Sequence, residues 1–260
     1  MPASHNISSN RRSYNKFVAN EMMEDFALRF TARRARKWPY ARIAGTALGI
    51  VSFMVLEAIG GAITLNYGFV NAAWAIAALV AVIFISGLPI SYYAARYGVD
   101  IDLLSRGAGF GYVGSTIASL IYASFTFIFF ALEAAIMSMA LELLLGIPLY
   151  IGYAISALIV LPLVTHGIAY ISRFQVWSQP VWLVLQLIPL FYVFTHPQSS
   201  LQEWLQFEGG AGSAAGSFNI LLFGGASAVL MSLVAQIGEQ ADILRFLPPK
   251  AENGSPAKWW

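Results

Sequence analysis

The segment from Phe69 to Tyr93, FVNAAWAIAALVAVIFISGLPISYY, contains no charged residue. A helix needs about 20 predominantly apolar residues to cross a bilayer, so this segment predicts a transmembrane helix. The whole chain has a similar character, since 58% of its 260 residues are hydrophobic and only 11% are charged. Soluble domains carry about 25% charged residues. The composition therefore argues against a water-soluble globule and predicts an all-α, polytopic membrane protein.

Further apolar stretches on both sides of this segment predict six membrane spans in total. The predicted spans cover approximately residues 43–65, 69–93, 112–146, 148–165, 177–195 and 218–237. The third is too long for a bilayer core of about 30 Å unless it is tilted or projects into water. The spans form a transmembrane domain over residues 43–248, with a basic leader over residues 1–42 and a tail over residues 249–260.

The basic residues predict the orientation of the chain. With the N-terminus inside, all fifteen Lys and Arg fall in the two termini or in the inner loops, and the outer loop 196–217 has none. Because positive residues are retained on the cytoplasmic side, both termini are predicted to be cytoplasmic. The leader repeats Phe17, Met22, Phe26 and Phe30 at helical spacing. This pattern fits either an amphipathic helix on an anionic leaflet or a partly disordered leader that only sets the topology.

Several classes of function find no support in the residues. Cysteine is absent, which excludes disulfides, thiolate metal sites, iron–sulfur clusters and cysteine nucleophiles. The three histidines are scattered, and a net charge of +2 is too small to indicate a nucleic-acid partner. With no nucleophile–base pair and no phosphate-binding motif, we predict that this chain is not an enzyme and has no metal or organic cofactor.

Glu57 is the first candidate functional residue, because a carboxylate in a membrane span costs about 2.5–3.5 kcal/mol and therefore faces a cavity, a partner or an ion path. Gly60 and Gly61 follow it and weaken the helix. An interrupted span at membrane depth is typical of a transporter binding site. The alternative is a glycine-rich face that only lets another helix pack closely.

Glu133 is the second candidate, in the third span. Phe129 lies one helical turn before it, so that a ring and an acceptor share one face and suit a flat heterocycle. The alternative is a core phenylalanine beside a glutamate paired to another helix. Gln236 belongs to a polar group at the end of the sixth span. This group fits either an inner gate or an ordinary charged helix end.

Several short motifs resemble the nucleobase:cation symporter-1 family, which includes purine, cytosine, allantoin and hydantoin permeases. The matching segments are Leu56–Ala62, Ala95–Val99, Leu104–Arg106, Phe110–Gly111, Gly114–Ser115 and Asp242–Phe246. The resemblance implies ten core helices in two inverted five-helix repeats, of which the predicted spans are the first half and one helix more. It also implies a bacterial inner-membrane protein that binds a purine, pyrimidine or related heterocycle, coupled to Na⁺ or H⁺.

In such transporters the substrate lies between broken helices one and six and helices three and eight. By position, the resemblance implies these substrate-binding residues: Glu57, Ala58, Gly60, Phe129, Glu133 and Gln236. Glu133 departs from the family, which has an amide there. No eighth helix is predicted, so the resemblance implies the N-terminal part of a longer protein.

A second resemblance keeps another function open. The segments Phe17–Glu21, Arg33–Lys37 and Ser172–Gln175 are similar to the transporter-like input module of some bacterial hybrid sensor histidine kinases. That resemblance implies ligand sensing passed to cytoplasmic signalling domains of a longer parent. A transporter and a sensor are therefore both predicted to bind a small solute within the bilayer.

Overall fold

The computed structural model describes residues 30–196, 201–210 and 216–249, and within them it is all-helical with no strands. The predicted amphipathic part of the leader before Phe30 and the tail after Pro249 lie outside the described residues. The α-helices, in chain order, are α1 (Tyr40–Val51), α2 (Met54–Tyr67), α3 (Phe69–Tyr97), α4 (Ile101–Ser105), α5 (Gly111–Leu145), α6 (Leu149–Thr165), α7 (Gly167–Thr195), α8 (Leu201–Leu205), α9 (Ile220–Leu230) and α10 (Glu239–Leu244).

The shorter helical segments lie at the joints between these helices. A 3-10 turn at Arg33–Ala35 precedes α1, a π-type turn at Arg106–Phe110 joins α4 to α5, and a 3-10 segment at Met231–Gly238 joins α9 to α10. The joint before α5 contains Gly109 at φ 109°, a backbone conformation that glycine adopts without strain. The last predicted span is irregular in its second half, because the 3-10 segment Met231–Gly238 follows α9 there.

Each predicted span corresponds to apolar helix in the structure. Four helical stretches in the described residues are long and apolar enough to cross a membrane, or five if α1 and α2, bent by 47°, form one span. The helix that corresponds to the fourth predicted span, α6, has only 17 residues and is shorter than these. Two helices extend beyond the predicted spans: α7 begins at Gly167, ten residues before the predicted 177, and helical structure after α9 continues to Leu244. Polar side chains at the start of α7 are accommodated by contacts with α1.

Helix packing gives the molecule two small cores. α5 packs on α6, α1 on α7, and α3 on α9. One core lies where α2, α3 and α9 meet, around Ile63, Ala75 and Ala226. The other lies at one end of the bundle, where Trp38 stacks on Phe246 with ring centroids 4.4 Å apart. Most large apolar side chains outside these cores are exposed, as expected for helices surrounded by lipid.

The contact between α5 and α6 makes the first testable prediction. A methyl group added at Gly152 would lie 2.9 Å from Ser138 Cβ and 3.0 Å from Ser138 Cα. We expect Gly152→Ala to lower the free energy of unfolding by about 1–3 kcal/mol, because overpacking forces the backbones apart. Thermal unfolding in detergent measures this effect. The matched control is Gly224→Ala in α9, where an added methyl group meets nothing within 4 Å; equal behaviour of the two variants contradicts the prediction.

Candidate functional site

The first span is broken at Ser52 and Phe53. Phe53 is extended, with φ −145° and ψ 148°, and α2 starts again at Met54. The Ser52 hydroxyl donates to the carbonyl of Leu48 at 2.6 Å and so pairs one of the acceptors at the end of α1. The break leaves the N–H groups of the first turn of α2 without intrahelical partners. A helix that ends within a membrane needs such groups to be paired by other side chains or by a ligand.

The position predicted for the break, around Glu57, Ala58 and Gly60, is wrong. All three residues lie within α2, and the Gly60 carbonyl accepts a hydrogen bond from Thr64 Oγ1 at 2.8 Å inside the helix. One glycine lowers the stability of a helix by only about 1 kcal/mol, and the other interactions of the helix outweigh this cost. The break occurs where Glu133 supplies an acceptor for the freed backbone.

Glu133 pairs the exposed end of α2. The N–H of Val55 donates to Glu133 Oε1 at 2.8 Å, although the two residues are far apart in sequence. A carboxylate at a helix N-terminus is stabilised by the N–H groups and by the helix dipole. Among the described residues the other carboxylate oxygen, Oε2, has no hydrogen-bond partner. Glu133 therefore stands at the break with one oxygen available to a ligand.

The aromatic ring expected beside Glu133 is present. Phe129 is half-buried, and its ring meets the edge of Phe53 with centroids 5.7 Å apart. It also contacts Phe125, with centroids 4.3 Å apart. Phe53 belongs to the break itself and was not predicted as a site residue. The structure thus brings Phe129 and Glu133 together with the break, and adds Phe53.

A stripe of polar side chains on α7 faces the broken span, and sequence reasoning missed it. Gln175, Gln179, Trp182 and Gln186 are spaced four, three and four residues apart, so they share one face of the helix. Ser52 Oγ, at the break, lies 3.1 Å from Gln179 Oε1. The helical spacing of polar residues in an otherwise apolar predicted span is the signal that identifies this stripe, which we call the glutamine stripe.

Glu57 lies at the far end of the glutamine stripe. Its Oε1 accepts a short hydrogen bond from Nε2 of Gln186. Glu57 lies two residues after Val55, whose N–H is bonded to Glu133, so both carboxylates belong to the first turns of α2, although Glu57 itself is exposed.

A cavity of about 560 Å³ lies beside the break, between α1, α6 and α7. Its polar lining includes Ser52 and three members of the glutamine stripe, and its other walls are mainly apolar. Among the described residues, Gln175 Oε1 and Trp182 Nε1 are buried without a hydrogen-bond partner. The volume lies within the range of about 300–1,000 Å³ that is typical of small-molecule pockets. A buried acceptor and a buried donor favour a polar occupant.

Two further predicted site residues are Ala58 and Gln236. Ala58 is exposed on α2, and Gln236 is half-buried in the 3-10 segment. That segment contacts α5, the helix of Glu133, but no hydrogen bond joins the Gln236 side chain to the described residues. A 3-10 stretch of eight residues is unusually long and often marks a hinge.

In the described part of the chain, no group of three or more His, Asp or Glu is arranged to hold a metal ion.

The opposite end of the first span is held by Arg36. This side chain is 4% exposed, and its guanidinium donates to the carbonyls of Leu247 at 2.9 Å and Arg96 at 3.3 Å, and to that of Ala95. These acceptors lie at the end of α3 and in the segment after α10. Arg36 therefore links the leader to both of them.

Comparison of the chain with protein-family models, with curated proteins and with solved structures finds no match in any of the three.

Proposed function

We propose that this chain is a transporter-like membrane protein of the nucleobase:cation symporter type. It binds a small polar solute, a purine, pyrimidine or related heterocycle, at the break in its first span, and translocates it with cation or proton coupling. The hydrogen bond from Val55 to Glu133 Oε1 carries the proposal, because it places an ionisable acceptor on a broken membrane helix.

Three features around that bond support a heterocyclic solute. Phe53 and Phe129 offer aromatic surface on which a flat ring packs. The free Oε2 of Glu133 accepts a hydrogen bond from a ring N–H. On the other side of the break, Gln175 and Trp182 supply an acceptor and a donor. Glu133 and the two rings suit a planar solute with an N–H on its edge, and the cavity lined by Gln175 and Trp182 offers a second polar site beside the break.

Glu57 is proposed to carry the coupling charge. It lies two residues after Val55, which is bonded to Glu133, and a proton or cation held at either carboxylate relieves the repulsion between two negative charges at the same end of α2. The Gln186 amide orients the Glu57 carboxylate. Binding of a cation or proton at this pair then favours binding of the solute, which is reciprocal coupling between two sites.

The direct test measures binding and uptake by the full chain. The protein is purified, placed in lipid nanodiscs and titrated with radiolabelled purines, pyrimidines and hydantoins, with a sugar as the unrelated polar solute. We expect saturable binding of at least one heterocycle and none of the sugar. In proteoliposomes the same heterocycle should accumulate when an inward proton or Na⁺ gradient is imposed. Absence of saturable binding at every pH tested contradicts the proposal.

Glu57→Gln tests the coupling role separately. Glutamine still pairs with Gln186 but has no charge, so we expect gradient-driven uptake to fall about five- to tenfold, the difference between a charge-assisted and a neutral interaction. Equilibrium binding should change less than uptake. Glu142→Gln, at the exposed end of α5, is the matched control and should behave as the native chain does. Native uptake by Glu57→Gln removes Glu57 from the mechanism.

The second candidate function is a ligand-sensing input module for cytoplasmic signalling domains. The contacts of Arg36 favour it, because they join the leader to the segment that follows the last span. Through these contacts, a conformational change at the break in the first span is passed to the leader and to the segment after α10. Saturable binding of a heterocycle without any uptake into proteoliposomes supports the sensor over the transporter.

A further inference from the structure

A row of polar contacts connects α7 with the broken first span, and we call this row the polar seam. From the end predicted to face the cytoplasm inward, the contacts join these pairs: Thr46 and Ser172, Ser52 and Gln179, and Glu57 and Gln186. The rise along α7 from the first pair to the last is about 21 Å. A bilayer core is about 30 Å thick, so the polar seam is long enough to cross more than half of it.

The members of the polar seam on α7 share one face of the helix with the glutamine stripe. At about 100° per residue, Ser172 and the glutamine stripe fall within an arc of about 80°. Val184 lies on the opposite face and is 56% exposed. Polar side chains on one face of a membrane helix either pair with a neighbouring helix or line a cavity that holds water.

Two polar atoms of the glutamine stripe are buried and unpaired. Gln175 Oε1 and Trp182 Nε1 have no hydrogen-bond partner among the described residues, and both side chains line the cavity of about 560 Å³ beside the break. Water satisfies both atoms, because it donates and accepts, and each molecule takes only about 30 Å³. An acyl chain would also fit the mainly apolar walls, but it would leave both atoms unpaired, which costs free energy. Water is therefore the better occupant.

The cavity follows the polar seam along α7. Its lining on this helix begins at Ile171 and continues to Leu185, one residue before Gln186. Helices α1 and α7 come close at Gly49, where an added methyl group would lie 2.6 Å from Gln175 Cβ. At that level the space lies on the side of α6, which also lines the cavity. The cavity thus extends from near the start of α7 to the depth of the intramembrane carboxylates.

We infer that water fills this cavity and forms a path along the polar seam between the cytoplasm and Glu57. Amide and hydroxyl groups donate and accept hydrogen bonds, so the glutamine stripe and Ser52 bind water without holding an ion. The inference rests on the proposed function, because the path gives the coupling proton or cation at Glu57 a route to the cytoplasm. A proton that leaves the Glu57 carboxyl passes to a water molecule and leaves a carboxylate, which stays paired with Gln186.

The accessibility of introduced cysteines tests the path, since the native chain has no cysteine. The full chain carrying Ser52→Cys is prepared in inside-out and in right-side-out membrane vesicles. A charged, membrane-impermeant methanethiosulfonate reagent is then added to each. A thiol reacts as the thiolate, which forms in water and is disfavoured in apolar surroundings. We expect Ser52→Cys to be labelled faster from the side that holds the two termini than from the opposite side.

Two further variants make the result specific. Ser178→Cys is a second reporter in the same cavity, and Val184→Cys is the matched control on the opposite face of α7. The control should react at least about tenfold more slowly than the two reporters, because its thiol faces lipid. Labelling after denaturation in SDS shows that each thiol is intact. Failure of both reporters to react before denaturation, a control that reacts as fast as they do, or equal labelling from both sides would each overturn the inference.

The labelling and the proposed function fail separately, since labelling needs neither a solute nor an ion gradient. Heterocycle binding in nanodiscs without labelling of Ser52→Cys or Ser178→Cys contradicts the water path and supports the proposed function. Labelling of both reporters without binding of any heterocycle supports the water path and contradicts the proposed function.

Discussion

Replacing Glu133 with leucine is expected to weaken heterocycle binding about 100-fold, because a charge-assisted hydrogen bond contributes roughly 1.5–3 kcal/mol and the solute loses its principal acceptor. The same change leaves the Val55 N–H, now paired at 2.8 Å, without a partner at the break. The measurement is saturation binding of the labelled heterocycle in nanodiscs. Native affinity in Glu133→Leu contradicts the proposed site.

Glu133→Gln separates the two roles of this side chain. A glutamine oxygen still accepts the Val55 N–H, so the break in the first span should persist and thermal stability should stay near that of the native chain. The loss of charge should weaken binding about tenfold, less than in the leucine variant. If the glutamine and leucine variants lose equal affinity while only leucine lowers stability, the charge of Glu133, not its capping of α2, is what the solute requires.

Replacing Arg36 with methionine is expected to lower the free energy of unfolding by about 3 kcal/mol. The change removes the guanidinium donors to the carbonyls of Ala95, Arg96 and Leu247 while it keeps an unbranched apolar side chain in a site that is 4% exposed. Bonds from a charged donor contribute more than neutral ones, and a buried carbonyl left unpaired adds its own cost. Thermal or SDS-induced unfolding of the purified chain measures the loss.

Arg96→Met is the matched control for Arg36. Arg96 is exposed, and among the described residues its side chain donates one hydrogen bond, to the Tyr92 hydroxyl one turn away at 2.8 Å, and lies over the rings of Tyr92 and Tyr97. A surface contact of this kind contributes at most about 0.5 kcal/mol. Hydrogen exchange at the end of α3 should accelerate in Arg36→Met and not in Arg96→Met. Equal stability of the two variants shows that the link made by Arg36 is not structural.

The apolar helices were predictable because membrane insertion depends on local composition. The long third span, predicted over residues 112–146, is the helix Gly111–Leu145. The beginning of α7 was not predictable in this way, because Arg173 and Gln175 interrupt the apolar pattern although the backbone remains helical. Contacts with α1 accommodate a polar side chain there, since Ser172 Oγ accepts from Arg42 Nε at 2.9 Å and lies 2.7 Å from Thr46 Oγ1.

The candidate site was predictable in part. The two intramembrane carboxylates were conspicuous in an apolar background, and Phe129 followed from helical spacing. The break was predicted around Glu57, Ala58 and Gly60, partly because glycine weakens a helix, yet the helix continues through these residues and the break lies at Ser52 and Phe53. The preference of a single residue is small compared with the free energy of pairing a helix end inside a membrane.

The sequence alone determines that the chain is an all-α protein of long apolar helices, because each segment responds to the bilayer through its own composition. Only the tertiary structure decides which polar groups meet within those helices. Glu133 reaches the N–H of Val55 across 78 positions, and Gln186 reaches Glu57 across 129. Such hydrogen bonds depend on how the helices pack, since a polar side chain in a membrane takes whichever partner the packing brings within reach.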